Sequence, residues 1–447
     1  MGSKNLEKTV AIVGAGFAGL VAARELETVG IKTEIFEARD RIGGRAWTED
    51  RMGHTLEIGA TWVHWMQPFI WTEIKRYKQG IYPSPVAEQA LWLTGGEVKE
   101  GTEAELDALL ERPQAAIFEG SREFFPYPHD PLHILEGDDE ELIARFKAKD
   151  QGKVLDVLRE GDFTQEEIDL ADAYWSAGYI GSTDTASPLM AMHWAALSDH
   201  RLGLLDEQTL RFKLSNGMKG IYEGIYEDVR GDVHLNSPVK KIDHGEDSVE
   251  LTLADGSTFR ADAVIVTVPL GAMKTIEFNP PLNQERQDLV EEGFNSTGVK
   301  AWIKVEGHHS VLAYAPSGSP LALIRSEYFL DDGTTILVGF GSDHSKLDLS
   351  NVAAAQEVIS QWRPDLKVVD VTGHDWVADP WSGQAWSTLK SGQFINGWSM
   401  FRGSDSRLRF AGADWAEGWN GVVVDGAIET GITTARDLID EFRAEEK

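Results

Sequence analysis

The chain contains no cysteine. That excludes disulfides, thiolate metal sites, a cysteine nucleophile and any thioether to a cofactor. No run of 18 apolar residues occurs, so no membrane-spanning helix is expected, and MGSKNLEKTV at the start lacks the apolar core of a secretory leader. A cytoplasmic protein with no membrane partner is the expectation. Positive charge is scarce: 42 Lys+Arg stand against 73 Asp+Glu, a formal charge of −31 over 447 residues. So acidic a surface argues against nucleic acid as a partner. The 12 histidines show no HExxH-type spacing, which leaves no metal site to expect, and there is no G-x-S-x-G elbow for a serine nucleophile. The length fits about two domains.

What is present begins at VAIVGAGFAGLVAARELETVG. Thr9 to Val13 is apolar and β-branched, the pattern of a buried strand. Gly14, Gly16 and Gly19 follow as G-x-G-x-x-G. The first glycine permits a tight turn, the second a close approach of backbone to a pyrophosphate, the third close packing of helix on strand. A helix from about Phe17 to Val29 then turns its positive dipole end toward the phosphates, and Gly30 ends it. Lys32 to Phe36 reads as a second strand ending at Glu37, 18 residues after Gly19. A carboxylate there suits a free ribose 2′-hydroxyl, so the ligand reads as FAD or NAD.

The continuation EARDRIGGRAWT, then GHTLEIGATWVHW, resembles the flavin-dependent amine oxidase family, closest in feel to bacterial nicotine-type and aryl-alkyl amine oxidases. The C-terminal stretch RLRFAGADWAEGWNGVVVDGAIETGITTARDLI carries the resemblance a second time. It implies an α/β fold: a Rossmann-like FAD-binding domain of the glutathione reductase type, interleaved with an α+β substrate domain of mixed sheet and helices. The FAD domain is expected over residues 1–75, 212–290 and 385–447, the substrate domain over 76–211 and 291–384. By resemblance Glu37 takes the adenosine ribose and Val239 abuts the adenine. Arg39, Gly43, Gly44 and Arg45 lie along the pyrophosphate and flavin, with Gly59, Ala60, Thr61 and Trp62 at the ring. Gly412 and Asp414 lie by the ribityl–phosphate region, and amides around Val424 stand at the flavin O2. The family's covalent cysteine position is Ala385 here, so FAD is expected to be non-covalent.

Pattern reading places strands at Val239 to Ile242 and Ala263 to Val268, with a hairpin turning at Ala254-Asp255-Gly256. Residues 76–211 read as largely helical, with a capping box at Thr164 and Glu167. Strand signals at Val299 to Val305, Leu321 to Arg325, Thr335 to Phe340 and Lys367 to His374 suggest a mixed sheet flooring the substrate pocket. A helix is expected to open at Gly421.

Two residues are expected to carry the chemistry. Lys300 lies in the apolar strand pattern STGVKAWIKVEG, where a lysine must point into a cavity or find a partner. Solvent-facing placement is the alternative, since Lys304 fits the same alternation. The family has a lysine here that holds a water beside flavin N5. Trp386, in DPWSGQAWSTLK, corresponds to an aromatic flanking the substrate nitrogen. Trp62, His64, Tyr179, Asn420 and Val423 are expected around the pocket, while Tyr174, Trp175 and Trp194 add aromatic surface suited mainly to core packing. The implied reaction is hydride transfer from an apolar or aryl-alkyl amine to FAD, with O2 as acceptor and H2O2 as product. A dehydrogenase with another acceptor, an amino-acid or polyamine oxidase, and an FAD-scaffold binding module remain alternatives. A homodimer is left open.

Overall fold

The computed structural model describes residues 6–445. The strand Thr9–Val13, the helix Phe17–Glu27 and the strand Lys32–Phe36 form a strand–helix–strand unit whose two strands pair in parallel. Val10, Ala11 and Ile12 have no solvent exposure, as expected of a strand covered on both faces. Later parts of the chain extend this sheet. Its order is Asp232–His234, Lys32–Phe36, Thr9–Val13, Ala263–Val266, Leu408–Phe410, and the short antiparallel edge Ser404–Asp405. Strands nearly 400 residues apart in the chain thus stand on either side of Ala263–Val266.

The long helix Val424–Glu445 lies against Phe17–Glu27. Ile428, Ala435, Leu438, Ile439 and Phe442 are buried at helical spacing. Gly431 allows the close approach: a Cβ there would stand 2.6 Å from the Ala18 carbonyl oxygen. This helix opens at Val424, three residues later than the sequence pattern predicts. Gly421 is at φ +72°, a left-handed turn residue that brings the chain round before the helix starts.

A second sheet has seven strands in the order Val368–Gly373, Val299–Glu306, Thr334–Gly341, Leu323–Phe329, Val311–Tyr314, Gln89–Thr94 and Glu97–Gly101. All its pairs are antiparallel except Val311–Tyr314 with Gln89–Thr94. The hairpin Gln89–Thr94/Glu97–Gly101 falls in the stretch read as largely helical. Its signal is the pair Gly95-Gly96, at φ +57° and +84°, which is hairpin-turn geometry. The helices predicted around it do form: Thr102 and Thr164 each close a full capping box, with Glu105 and Glu167. Strand register in this sheet sets up the site. Tyr314 pairs with Leu323, Leu323 with Phe340, and Phe340 with Lys300. Paired residues of an antiparallel ladder share a face, so these four side chains form one row across four strands. No helix among the described residues is long and apolar enough to cross a membrane.

Asp425, in the first turn of the C-terminal helix, is fully buried. Its Oδ1 accepts from the Ile70 amide at 2.7 Å, so it caps the start of the helix Pro68–Arg76. Its other oxygen has no partner among the described residues. Burial pushes this carboxyl up to about 7 from 3.8. A raised folded value means the contribution to stability is fully present below the unfolded pKa and is lost as pH rises through about 7. Asp425→Asn keeps an acceptor oxygen and carries no charge. Relative to wild type, its urea midpoint is expected to improve between pH 5 and pH 8; a constant difference across that range contradicts the assignment.

Candidate active site

Two cavities meet beside the parallel sheet. The first holds about 1370 Å³ of empty space and is lined by the glycine turn, the end of the second strand, and residues 43–46 and 412–413. Gly14 is at φ +108°, and a Cβ on it would come within 2.6 Å of Thr267 Oγ1. Gly16 is the N-cap of the first helix; it offers no capping side chain, and no acidic residue sits in the first turn. The helix end is therefore open to an anion. Gly16 also bridges Gly43, and a Cβ on Gly44 would stand 3.2 Å from Gly16 Cα. Gly19 does not line the cavity: a Cβ there would strike the Gly14 carbonyl oxygen at 2.0 Å, so its role is helix-on-turn packing.

Glu37 is buried at the cavity wall. Its two oxygens accept from the Ala15 and Arg39 amides, both at 2.8 Å, which ties the glycine turn to the strand end. Arg39 also lines the cavity, with its guanidinium engaged by Asp379 at 2.7 Å. Although burial opposes it, His374 and Arg39 hold the Asp379 carboxyl well below the usual range. Arg45 donates to the Ala385 carbonyl at 3.0 Å and to Asp414 at 2.6 Å. Asp414, 1% exposed, also accepts from the Leu270 amide at 3.1 Å and from Gln384 at 2.9 Å. Val239, Gly412, Ala385 and Val424 complete parts of the wall.

The second cavity, about 960 Å³ of empty space, shares with the first a wall of Gly59, Ala60, Lys300, Trp386 and the valines 422–424. Its floor is the cross-strand row of Tyr314, Leu323, Phe340 and Lys300, and Trp62 stands beside it. The Trp386 and Phe340 rings meet edge to face at 5.7 Å, and Trp62 lies 6.0 Å from Phe340. The Trp386 indole donates to the Gly178 carbonyl at 3.0 Å, which holds the ring in place.

Lys300 points inward, buried, rather than to solvent. Its Nζ donates to the carbonyls of Glu57 and Gly59, each at 2.8 Å, and to Thr61 Oγ1 at 2.5 Å. It also lies over the Trp302 and Trp62 rings at 4.8 and 5.2 Å. An ammonium has three donors, and all three have protein acceptors here. Burial lowers Lys300 to about 7, and burial likewise raises the neighbouring Glu57 carboxyl to about 7.

Three residues expected at the pocket lie elsewhere. Tyr179 is fully buried, and its hydroxyl donates to the Ser187 carbonyl at 2.5 Å. His64 is packed against Trp65 and faces Glu207 at 3.3 Å. Asn420 spends its amide on the carbonyls of Asp414 and Ala416, both at 3.0 Å, so it shapes the turn, and Val422 and Val423 line the wall instead. Tyr174, Trp175 and Trp194, read mainly as core, line the second cavity. Phe340, Tyr314 and Asp206 do so without having been singled out. The first two follow only from sheet register. Asp206 left one trace, an acid beside Leu205 and four residues before Leu210.

A family model described as flavin containing amine oxidoreductase matches residues 17–439. The chain belongs to that family. A flavin nucleotide fits what the first cavity offers: an open helix N-terminus, glycines whose Cβ positions are filled, and a strand-end carboxylate. Among curated relatives of this flavoprotein, pseudooxynicotine dehydrogenase from a Pseudomonas species is 30% identical over 436 residues, covering 96% of this chain and 85% of the relative. (S)-6-hydroxynicotine oxidase from Paenarthrobacter nicotinovorans is 27% identical over 437 residues, covering 94% and 96%. A solved structure of putrescine oxidase bound to putrescine shares the fold, with TM-score 0.80 at 22% identity over 98% of this chain and all of that one.

Asp414→Ala removes the acceptor of Arg45 and of the buried Leu270 amide. The cost is expected on the order of 3 kcal/mol, read as a lower denaturation midpoint together with a lower flavin-to-protein absorbance ratio. A variant with wild-type values for both would show that this carboxylate does not hold the cavity.

Proposed function

We propose that the chain oxidises an apolar or aryl-alkyl amine, using FAD held without a covalent bond and O2 as the acceptor, with H2O2 as a product. The observation that carries this reading is the wall shared by the two cavities. A nucleotide-sized cleft and an aromatic, largely apolar chamber meet at a wall of Gly59, Ala60, Lys300, Trp386 and residues 422–424. When bound, the flavin supplies a two-electron acceptor for hydride from the carbon next to the amine nitrogen.

The residues divide the remaining tasks. Glu37 is assigned to the ribose, the Gly14–Gly16 turn and the first helix to the diphosphate, and the start of the C-terminal helix near Val424 to the ring edge. Trp386, Trp62 and Phe340 orient the amine and exclude water. Removing water disfavours the ammonium and favours the neutral amine that can release hydride. Lys300 acts through charge: with its three donors already taken by Glu57, Gly59 and Thr61, a water held by it must displace one of them. A cation fixed there favours negative charge developing on O2. The absence of cysteine, with alanine at position 385, supports non-covalent FAD. A second reading, transfer to an acceptor other than O2, draws on the name of the pseudooxynicotine dehydrogenase relative.

Anaerobic mixing of the yellow protein with a panel of amines is the direct test. Bleaching of the flavin by at least one amine is expected; a spectrum unmoved by all of them removes the proposal. Steady H2O2 release in air supports the oxidase reading, while turnover only with an added dye favours the dehydrogenase. Acid precipitation is expected to leave all yellow colour in the supernatant; colour in the pellet means a covalent bond. Lys300→Met is expected to slow reoxidation more than reduction. In wild type, reoxidation is expected to slow as pH rises and the buried Lys300–Glu57 pair gives up its protons, and this pH dependence is expected to weaken in the variant. Equal half-reactions in both proteins would remove Lys300 from this role.

A further inference from the structure

One carboxyl group stands inside the otherwise largely apolar second cavity, and the reaction as proposed makes no use of it. Asp206 is on the helix Leu202–Leu210, which turns Leu205, Asp206, Thr209 and Leu210 toward the chamber. These positions share one helical face. The Tyr174 hydroxyl donates to Asp206 Oδ1 at 2.6 Å. Burial and the adjacent Asp206 keep the Tyr174 phenol protonated, well above its ordinary range, so Tyr174 is the donor and Asp206 the acceptor. Oδ2 has no protein donor among the described residues, and the half-buried Asp206 lines the chamber.

The surroundings favour a positive guest. Burial pushes the Asp206 carboxyl up to about 7, Asp107 and Glu103 add to that rise, and Arg325 opposes it. Arg325 already has a carboxylate of its own, Glu327 at 2.7 Å. Trp175, Trp194 and Tyr314 line the same chamber, and aromatic rings attract cations. A protonated nitrogen placed here meets a free carboxylate oxygen and π faces together. An uncharged hydrocarbon end leaves that oxygen without a partner in a largely apolar chamber.

We propose that Asp206, oriented by Tyr174, determines substrate choice by accepting a second protonatable nitrogen of the amine, aliphatic or heteroaromatic, remote from the carbon that is oxidised. This rests on the amine-oxidation reading and narrows it: the preferred substrates carry two nitrogens.

The test uses the flavin-loaded protein and three probes of similar length: a diaminoalkane, a pyridyl-alkyl amine and the phenyl-alkyl amine that lacks the second nitrogen. Kd is taken from the flavin difference spectrum, and the reduction rate from anaerobic mixing. Wild type is expected to prefer one or both two-nitrogen probes by about tenfold or more, the scale of one charge-assisted hydrogen bond. Preference for the diamine alone identifies an aliphatic nitrogen, and preference for the pyridyl probe alone a heteroaromatic one. Asp206→Asn is expected to erase most of that preference, and Tyr174→Phe part of it. The same Kd for all three probes in wild type overturns the proposal whether or not any variant folds, as does an Asp206→Asn protein with the preference intact. Because Kd is read without turnover, failure here is separable from failure of any amine to bleach the flavin.

Discussion

A single carboxylate with almost no access to water joins the parts of the molecule that the chain keeps furthest apart. Asp414 takes hydrogen bonds from Arg45, from the Leu270 amide and from Gln384. A buried charge is tolerated only when it is paired and hydrogen-bonded. The chain satisfies that condition only by bringing together the loop after the second strand, the exit of strand Ala263–Val266 and the C-terminal turn. The same turn is pinned by Asn420, whose amide donates to the Asp414 carbonyl. Val422 and Val423 are thereby set on the cavity wall, and the C-terminal helix starts at Val424 on the same wall. The glycine turn lies within this frame, since Thr267, just before that exit, donates its hydroxyl to the Val13 carbonyl at 2.9 Å.

The chamber on the other side is a product of strand register. Lys300, Phe340, Leu323 and Tyr314 come from four strands, and their alignment into one row requires every pairing in between. A slip of one residue in any of these strands would turn its side chain to the opposite face. The row begins at a cation and ends near a carboxyl group, with aromatic and aliphatic groups between. Such a chamber supplies little polarity except at two fixed points, which is how a mostly apolar pocket imposes an orientation on a small ligand.

Lys300 shows how one side chain serves both cavities. It belongs to the seven-stranded sheet, and its ammonium is held by the Glu57–Thr61 segment that leads out of the nucleotide-binding half. The Trp302 indole donates to the same Glu57 carbonyl at 3.0 Å. The contact is therefore structural as well as electrostatic: it fastens the sheet to the loop that carries Gly59 and Ala60, the residues common to both cavity walls. A Cβ on Gly59 would stand 1.7 Å from the Arg45 carbonyl oxygen, so this crossing leaves no room for a side chain.

The nucleotide half was legible because its signals are local. A strand, three glycines at fixed spacing, a helix and an acid at the next strand end lie within forty residues, and each constrains backbone geometry directly. Lys300 and Trp386 were also legible, through an out-of-place charge and a motif. The hairpin at Gly95-Gly96 was missed amid helical patterns, although its turn residues marked it. The pocket walls were mostly illegible, and His64, Tyr179 and Asn420 show why. Each is a polar or aromatic residue close in sequence to true wall residues, and each turns away to satisfy a hydrogen bond or a packing contact that only the folded chain supplies. Which residues line the chamber depends on sheet register and on helix rotation, and neither is encoded at any single position. The amino-acid sequence alone therefore determined the nucleotide fold and marked Lys300 as a charge out of place in an apolar strand. The tertiary structure alone decided that Phe340, Tyr314 and Asp206 share one cavity, because distant pairings set the direction of each side chain.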